Sequence, residues 1–380
     1  MQSFHPPKRT LMGPGPSDVP RRVLQALARP TIGHLDPAFV GMMDEVKIML
    51  RQAFCTDNAL TFPISAPGSA GMECCFANLV EPDDEVIICI NGVFGGRMKE
   101  NVERMGGIAH VVEDAWGTPV DPNKVRAAFV QHPKAKILAF VHAETSTGVR
   151  SDAKTLCAIA REFGALSLVD AVTSLGGIEL QVDAWGIDAI YSGSQKCLSC
   201  PPGLSPVSFS KRAAEVIASR THKVRSWFLD LSLVMAYWQG DGARTYHHTA
   251  PVNAMVGLHE GLIMLHEEGL QNAWVRHGLM HEHLKAGLEN LGLRFVVEEQ
   301  YRLPQLNAVQ FPASVQDEAK VRRHLLEQHN LEIGAGLGAL AGKVWRIGLM
   351  GASACEENIE ICLSALEASI KQCGQTTAID

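Results

Sequence analysis

The sequence predicts an α/β fold with a mostly parallel sheet, followed by a smaller α+β unit. Short, continuous apolar segments alternate with amphipathic segments as far as about residue 250. Strands that are covered on both faces of a parallel sheet have such continuous apolar sequences. Alternating strands and helices favour parallel pairing with right-handed crossovers. Beyond residue 250 a long helical segment and a few short strands replace this alternation.

The first unit opens with a helix over 36–54 that starts with Asp-Pro, a frequent helix-start signal. Its apolar residues at 39, 43, 46 and 50 are spaced by three and four, as on one helix face. Further helices are predicted at 71–80, 97–105, 125–130 and 154–163, and strands at 60–64, 85–90, 136–141 and 165–169. In the second unit, helices are predicted at 255–290, 318–328 and 358–370, and strands at 295–297, 308–311 and 344–347.

Length and composition restrict the class of protein. A chain of 380 residues corresponds to roughly two domains. Its 34 basic and 41 acidic residues give a net charge of −7, which argues against a general nucleic-acid binder. No apolar run is long enough for a membrane span, and the first residues do not form a secretory signal. Ten cysteines are too sparse for a disulfide scaffold, so we expect a reducing, cytoplasmic location.

Three polar side chains and one loop fall at the carboxyl ends of predicted strands, where open parallel sheets bind ligands. Asp170 follows the strand that ends at 169, Thr145 lies in the loop after 141, and Lys196 follows an apolar run that ends at 190. The loop 65–71 (SAPGSAG) joins a strand to a helix and could present backbone N–H groups to a phosphate. Taken singly, such residues are usually turns, caps or solvated charges.

Together, these groups suit pyridoxal phosphate. The phosphate of this cofactor needs hydrogen-bond donors, its pyridine nitrogen needs a carboxylate, and its aldehyde needs a lysine amine. The loop 65–71, Asp170 and Lys196 supply one of each. The sequence therefore indicates a pyridoxal phosphate enzyme.

Seven short segments occur in the order in which one known family carries them. They are 11–17 (LMGPGPS), 33–37 (GHLDP), 144–149 (ETSTGV), 169–177 (VDAVTSLGG), 191–196 (YSGSQK), 246–249 (YHHT) and 342–348 (GKVWRIG). Through them the chain resembles the class V, fold-type I aminotransferases, and most of all their alanine–glyoxylate and serine–pyruvate members. The resemblance implies an amino-terminal arm at 1–20, a large cofactor-binding domain at 21–265 with a mostly parallel seven-stranded sheet, and a small α+β domain at 266–380.

The resemblance also implies a role for individual residues. Lys196 would bind pyridoxal phosphate covalently through its amine, and Asp170 would pair with the protonated pyridine nitrogen. The other cofactor contacts within the same chain would come from Gly68, Ser69 and Gln195 on the phosphate, Phe94 and Val172 on the two ring faces, and Thr145 on the 3-oxygen.

Three further residues complete the implied site. Tyr246 and Thr249 would reach the phosphate from the neighbouring subunit of a homodimer, and Arg346 would bind the substrate carboxylate. The chain departs from its relatives at Phe94, where many have Trp, and a smaller ring should stack more weakly. It departs again at 66–67, Ala-Pro, where relatives usually have Gly followed by Ser or Thr, so one side-chain donor to the phosphate is missing.

The resemblance implies transfer of an amino group from alanine or serine to glyoxylate. Ureidoglycine–glyoxylate transaminase is the nearest alternative, but that group typically has Gln in place of His34 and Asn in place of Tyr246. Hydroxykynurenine transaminase and, more distantly, cysteine desulfurase are further alternatives. An α/β module that binds a nucleotide at 68–71 is the alternative from another class, although neither Gly-x-Gly-x-x-Gly nor a Walker lysine occurs there. We expect no nucleic-acid or membrane partner.

No metal site is predicted. Cys197 and Cys200 form a Cys-x-x-Cys, but no second pair of metal ligands has the spacing of a zinc site. His277, His281 and His283 lie in a predicted helix without the intervening glutamate of zinc proteases, so we expect them on a solvated face.

Overall fold

The computed structural model describes residues 1–238 and 244–374. The predicted domains also contain residues 239–243 and 375–380, which lie outside the described residues. The strands are β1 (Thr10–Leu11), β2 (Leu60–Ile64), β3 (Glu85–Ile90), β4 (Ile108–Glu113), β5 (Ile137–Val141), β6 (Ala143–Glu144), β7 (Val149–Arg150), β8 (Leu166–Asp170), β9 (Ala189–Tyr191), β10 (Ser205–Phe209), β11 (Arg294–Phe295), β12 (Leu306–Gln310), β13 (Leu331–Glu332), β14 (Gly334–Ala335) and β15 (Val344–Gly348).

The helices cover the sheets and connect their strands. They are α1 (Arg21–Leu27), α2 (Pro37–Phe54), α3 (Gly68–Leu79), α4 (Val93–Arg104), α5 (Pro122–Gln131), α6 (Ala153–Glu162), α7 (Val182–Trp185), α8 (Lys211–Ala218), α9 (Leu231–Trp238), α10 (Val252–Glu268), α11 (Leu270–Asn290), α12 (Glu318–His329) and α13 (Glu356–Gly374). None of the helices within the described ranges is both long and apolar enough to cross a membrane.

The main sheet has seven strands in the order β2-β10-β9-β8-β5-β3-β4. Strands β9, β8, β5, β3 and β4 pair in parallel, whereas β10 is antiparallel to both of its neighbours. Strands β5 and β8 are buried along their whole length, as their continuous apolar sequences predict. The predicted α/β fold with a mostly parallel seven-stranded sheet is confirmed.

A second, four-stranded sheet has the order β11-β12-β15-β14, and its pairings are antiparallel. Buried residues of this sheet form a core with α11, α12 and α13, separate from the large core that surrounds the main sheet. Met12, close to β1, packs into this second core, since β1 pairs with β13. The domain boundaries at residues 20 and 265 remain predictions.

Two strands of the main sheet and one helix break are among the elements that the sequence pattern missed. Strand β4 lies at the edge of the sheet and is largely exposed, so it lacks a continuous apolar sequence. Strand β10 has the sequence Ser-Pro-Val-Ser-Phe, in which two serines and Pro206 interrupt the apolar residues. The helix predicted at 255–290 is two helices that meet at Gly269, whose φ of +86° favours glycine over residues with a side chain.

Candidate active site

One pocket lies at the carboxyl ends of the parallel strands and contains most of the predicted site residues. Asp170 is the last residue of β8, and Thr145 follows β5 and β6. Eight of the eleven predicted residues line the pocket: Gly68, Ser69, Phe94, Thr145, Asp170, Val172, Gln195 and Lys196. Sequence positions that lie more than 120 residues apart therefore converge because parallel strands end at the same edge of a sheet.

Asp170 is a buried carboxylate with a fixed orientation. Its Oδ1 accepts a hydrogen bond from the Val172 backbone N–H at 2.8 Å, and its Oδ2 accepts one from the Tyr191 hydroxyl at 2.7 Å. Burial raises the pKa of Asp170 to about 6, although both hydrogen bonds and the charge of Lys196 act in the opposite direction. A carboxylate held this way can pair with a cationic ring nitrogen in the pocket, because the pairing offsets its desolvation.

Lys196 places its amine in the same pocket. Its Nζ donates a hydrogen bond to the Pro14 carbonyl, which brings the amino-terminal segment against the pocket. Burial lowers the pKa of Lys196 to about 8, and the nearby guanidinium of Arg346 acts in the same direction. A larger share of this amine is therefore neutral, and hence nucleophilic, near neutral pH than for a solvated lysine.

The amino end of α3 supplies donors for an anion. The residue that precedes the helix, Pro67, makes no side-chain cap, so the first backbone N–H groups of the helix have no capping partner. A side chain at Gly68 would lie 3.3 Å from Val172 Cγ2 and 3.4 Å from the Ser192 carbonyl oxygen, so glycine allows this close approach. Gln195 has a buried Oε1 that finds no hydrogen-bond partner among the described residues.

Glu144 and Ser146 hold the start of α4, which carries Phe94. Glu144 Oε2 accepts from the Phe94 backbone N–H at 3.2 Å, and the Ser146 hydroxyl oxygen accepts from the Val93 N–H at 3.1 Å. The same Ser146 hydroxyl donates to Glu144 Oε1 at 2.6 Å. Burial raises the pKa of Glu144 to about 7. The two side chains cap the helix and position the ring of Phe94 at the pocket.

Arg346 lies beside the pocket behind Thr145. It is buried in β15, where its Nε donates to the Ala335 carbonyl at 2.7 Å and its Nη1 donates to the Thr145 carbonyl at 3.1 Å. Burial lowers the pKa of Arg346 to about 10, so the guanidinium stays charged at neutral pH. Within the described residues Nη2 has no hydrogen-bond partner, which leaves one edge of the guanidinium for a carboxylate.

Tyr246 and Thr249 do not line this pocket. Both are exposed, and their hydroxyl oxygens are 3.4 Å apart. The Tyr246 ring lies 5.3 Å from that of His34, the other position at which we expect ureidoglycine–glyoxylate transaminases to differ. Within a single chain, therefore, Lys196 and Asp170 share one pocket, whereas the hydroxyl groups of Tyr246 and Thr249 lie outside it.

Sequence reasoning missed three residues at the pocket. Tyr191 pairs with Asp170 in the register of β8 and β9, and Arg97 lies over the Phe94 ring with its Cζ 4.9 Å from the ring centre. Glu144, the third, lies in the segment 144–149, as Tyr191 lies in the segment 191–196, but neither segment by itself indicates a role for them. The position of Arg97 could have been predicted, because residues three apart on a helix are neighbours and Arg97 lies three residues after Phe94. The contact of Tyr191 with Asp170 depends on the order of the strands, which short motifs do not reveal.

The cysteine and histidine patterns have structural explanations. Cys197 and Cys200 are buried free thiols, and burial raises the pKa of each to about 12. The prediction of a solvated histidine face is wrong for His277 and His281, which are both buried. His281 bonds the Asn307 side chain at 2.8 Å and so joins α11 to β12 of the second sheet, whereas His277 accepts from the Gly351 N–H at 3.0 Å and joins α11 to the turn that follows β15.

The pocket fits pyridoxal phosphate by the chemistry of its groups. A buried carboxylate, a lysine amine, an aromatic ring and the free N–H groups of a helix start face one cavity. Each matches one part of the cofactor, and Gln195 adds a buried amide group to the lining of the same pocket.

Comparisons with known proteins agree with this chemistry. The family model of class V aminotransferases matches residues 67–361. The (S)-ureidoglycine–glyoxylate transaminase of Bacillus subtilis is 39% identical, with 95% of this chain and 90% of that protein aligned. The alanine–glyoxylate aminotransferase of Oryctolagus cuniculus is also 39% identical, with 97% and 94% aligned. The crystal structure of the Nostoc sp. alanine–glyoxylate aminotransferase superposes with a TM-score of 0.95, 46% identity and 97% of each chain covered.

Proposed function

The chain belongs to the class V aminotransferases, which use pyridoxal phosphate, and we propose that it transfers an amino group from a small amino acid, alanine or serine, to glyoxylate. The products are glycine and either pyruvate or hydroxypyruvate. The single observation that carries this proposal is the convergence of Lys196, Asp170 and the start of α3 in one pocket. Glyoxylate is the acceptor in the names of relatives from both groups.

Each of these groups has a step to perform. When bound, pyridoxal phosphate withdraws electrons from the α-carbon of the substrate and so makes its proton acidic. Lys196 would hold the cofactor and would move that proton, for which a pKa of about 8 is suitable. Asp170 would keep the pyridine nitrogen protonated, and the N–H groups at the start of α3 would bind the phosphate.

Arg346 orients the substrate through its carboxylate. The guanidinium is buried, fixed by two carbonyl groups and close enough to Lys196 to lower the pKa of that lysine. A planar guanidinium offers two parallel donors to a carboxylate.

We expect Arg346→Lys to raise the KM for the amino donor by about 10- to 100-fold and to leave cofactor affinity nearly unchanged. Lysine keeps the charge but loses the paired donors, and a hydrogen bond to a charged group contributes roughly 1.5–3 kcal/mol. Steady-state kinetics with alanine and a cofactor titration measure the two effects. Arg97→Lys is the matched control, because Arg97 also lies at the pocket. If Arg97→Lys raised the KM and Arg346→Lys did not, Arg97 would be the carboxylate ligand.

A donor panel tests the proposed reaction. Alanine, serine, hydroxykynurenine and (S)-ureidoglycine are each supplied with glyoxylate or pyruvate, and the product oxo-acid is measured. We expect alanine or serine with glyoxylate to have the highest kcat/KM, because His34 and Tyr246 both differ from the residues typical of ureidoglycine enzymes. A higher kcat/KM for (S)-ureidoglycine would replace the proposed donor but keep the acceptor.

We propose further that the enzyme is a homodimer with shared active sites. Tyr246 and Thr249 are exposed, and each lies outside the pocket of its own chain. Their paired hydroxyl groups are free to approach a second subunit. In this arrangement Tyr246 and Thr249 bind the phosphate held by Lys196 of the other subunit. We also propose a cytoplasmic location, which the ten unpaired cysteines support, since all ten lie within the described ranges.

Mixed dimers test the shared site. One parent carries Lys196→Ala, and the other carries Tyr246→Phe with Thr249→Ala. The second parent should bind the cofactor weakly, since each lost bond to a charged group costs roughly 1.5–3 kcal/mol. In a mixed dimer one site has both defects and the other has neither. We therefore expect subunit exchange to restore activity at low cofactor concentration, to about half that of the wild type.

The parents are exchanged under conditions that loosen the interface, and the mixed dimers are isolated through two different tags. Each parent exchanged with itself is the control. If isolated mixed dimers were no more active than the parents, Tyr246 and Thr249 would not act across the interface.

A further inference from the structure

A second cluster of ligand-type side chains lies at the opposite end of the main sheet. Glu85 is the first residue of β3, and His110 lies in the edge strand β4, opposite Ile87. His132 follows the last residue of α5 and precedes β5. Active-site residues lie at the carboxyl ends of the strands, so this cluster is separated from them by roughly 20 Å, the length of a six-residue strand.

The backbone around the cluster is fixed from two directions. The N–H of His132 donates to the Ala128 carbonyl at 2.8 Å, which closes the last turn of α5, and its carbonyl accepts from Ala135 at 3.0 Å. The N–H of Lys136 then donates to the Glu85 carbonyl at 2.8 Å. The loop that carries His132 is thereby attached to the residue that supplies the carboxylate.

The three side chains are neighbours. His110 Nε2 lies 2.9 Å from Glu85 Oε2, and the rings of His110 and His132 stack with their centres 3.5 Å apart at an angle of 12°, so one ring has to turn before both rings can direct a nitrogen at the same ion. One ligand atom from each of the three residues lies within 4.8 Å of the other two. All three residues are half-buried, so an ion could enter from solvent. His132 supplies one ring nitrogen as the third ligand atom.

We propose that Glu85, His110 and His132 bind a divalent transition-metal ion, with Zn²⁺ as the reference ion. Two imidazoles and one carboxylate form a ligand set that zinc uses with water in the fourth position. Imidazole also suits Cu²⁺ and Ni²⁺, so affinity should follow the usual order of these ions. Sequence reasoning missed the site because its ligands come from three separate elements and match no spacing motif.

The ion would join three parts of the large domain: the edge strand β4, the start of β3 and the end of α5. Edge strands have one side without a strand partner, and a ligand that binds only the folded chain stabilises it. The site is remote from the pocket, so it should affect thermal stability and leave transamination unchanged.

The test uses the holoenzyme after treatment with a chelator and alkylation of accessible thiols, which removes competing ligands. Zn²⁺ affinity is measured by competition with a chromophoric chelator. Binding of Co²⁺ is followed by the visible absorption of a tetrahedral ion. We expect one Zn²⁺ per chain and a melting temperature that rises with Zn²⁺ concentration. His132→Gln and Glu85→Gln each remove a direct metal ligand. Loss of a group that only supports a metal ligand weakens metal binding by roughly 10- to 100-fold, so each of these substitutions should weaken Zn²⁺ binding by more than that.

His259→Gln is the matched control, because His259 also contacts a carboxylate, Glu45, at 2.6 Å, but among the described residues it belongs to no group of three metal-ligand side chains. Its Zn²⁺ affinity should equal that of the wild type. Absence of a bound ion in the wild type would overturn the proposal. The proposal would also be overturned if Zn²⁺ affinity stayed unchanged in both His132→Gln and Glu85→Gln. In that case, the melting temperatures of both variants without metal must match that of the wild type.

Discussion

Lys196→Ala should lower the turnover number by at least about 10⁴-fold while the protein stays folded. The substitution removes both the covalent attachment of the cofactor and the group that moves the α-proton, and proton transfer alone usually contributes roughly 10²–10⁴-fold. Single-turnover absorption changes with alanine and far-ultraviolet circular dichroism measure the two quantities. Lys47→Ala is the matched control, because burial also lowers the pKa of Lys47, yet it does not line the pocket.

Two further measurements separate this role from a structural one. Borohydride reduction of the wild type should attach the cofactor irreversibly to Lys196, and a small amine added to Lys196→Ala should restore part of the proton transfer. In addition, the rate at which the apoprotein captures pyridoxal phosphate should rise with pH and level off above about 8, since only the neutral amine reacts. Labelling of a different lysine would remove Lys196 from the mechanism.

The sequence predicted the fold well where burial is continuous. Strands β3 and β5 have apolar sequences because both faces are covered, and their predicted bounds agree with the structure to within one residue. Strand β4 escaped prediction because an edge strand needs no such sequence. The α10–α11 break escaped because one glycine in a helical pattern does not by itself reveal a positive φ.

The sequence predicted those site residues whose roles follow from recognisable motifs. Asp170 and Lys196 stand at strand ends and match family segments, so their convergence followed from the topology. Tyr191 could not be identified in the same way, because its contact with Asp170 arises from the pairing of β8 with β9. The burial of His277 and His281 was also unpredictable, since a helix periodicity does not show which face a second sheet covers.

Asp170→Asn should lower kcat/KM for the amino donor by roughly 10²–10³-fold, the usual loss when one preorganised electrostatic contact is removed. Asparagine has nearly the same shape and can still accept from the Val172 N–H, so the fold and the bound cofactor should be retained. What it lacks is the negative charge that keeps the pyridine nitrogen protonated. Tyr191→Phe is the matched control, because it removes one hydrogen bond to Asp170 but leaves the carboxylate. Its loss should be smaller.

A cofactor analogue distinguishes this electrostatic role from a loss of packing. Pyridoxal phosphate methylated at the ring nitrogen carries a permanent positive charge there, so it needs no carboxylate to stay charged. In Asp170→Ala, where the shorter side chain leaves room for the methyl group, the analogue should support at least about tenfold faster half-reactions with alanine than the natural cofactor does, because it restores part of the roughly 10²–10³-fold electrostatic contribution. In the wild type the methyl group would meet the Asp170 carboxylate, which two hydrogen bonds hold in place, so the analogue should be the poorer cofactor there. Equal rates with both cofactors in Asp170→Ala, or activity of Asp170→Asn within tenfold of the wild type, would show that Asp170 does not act on the ring nitrogen.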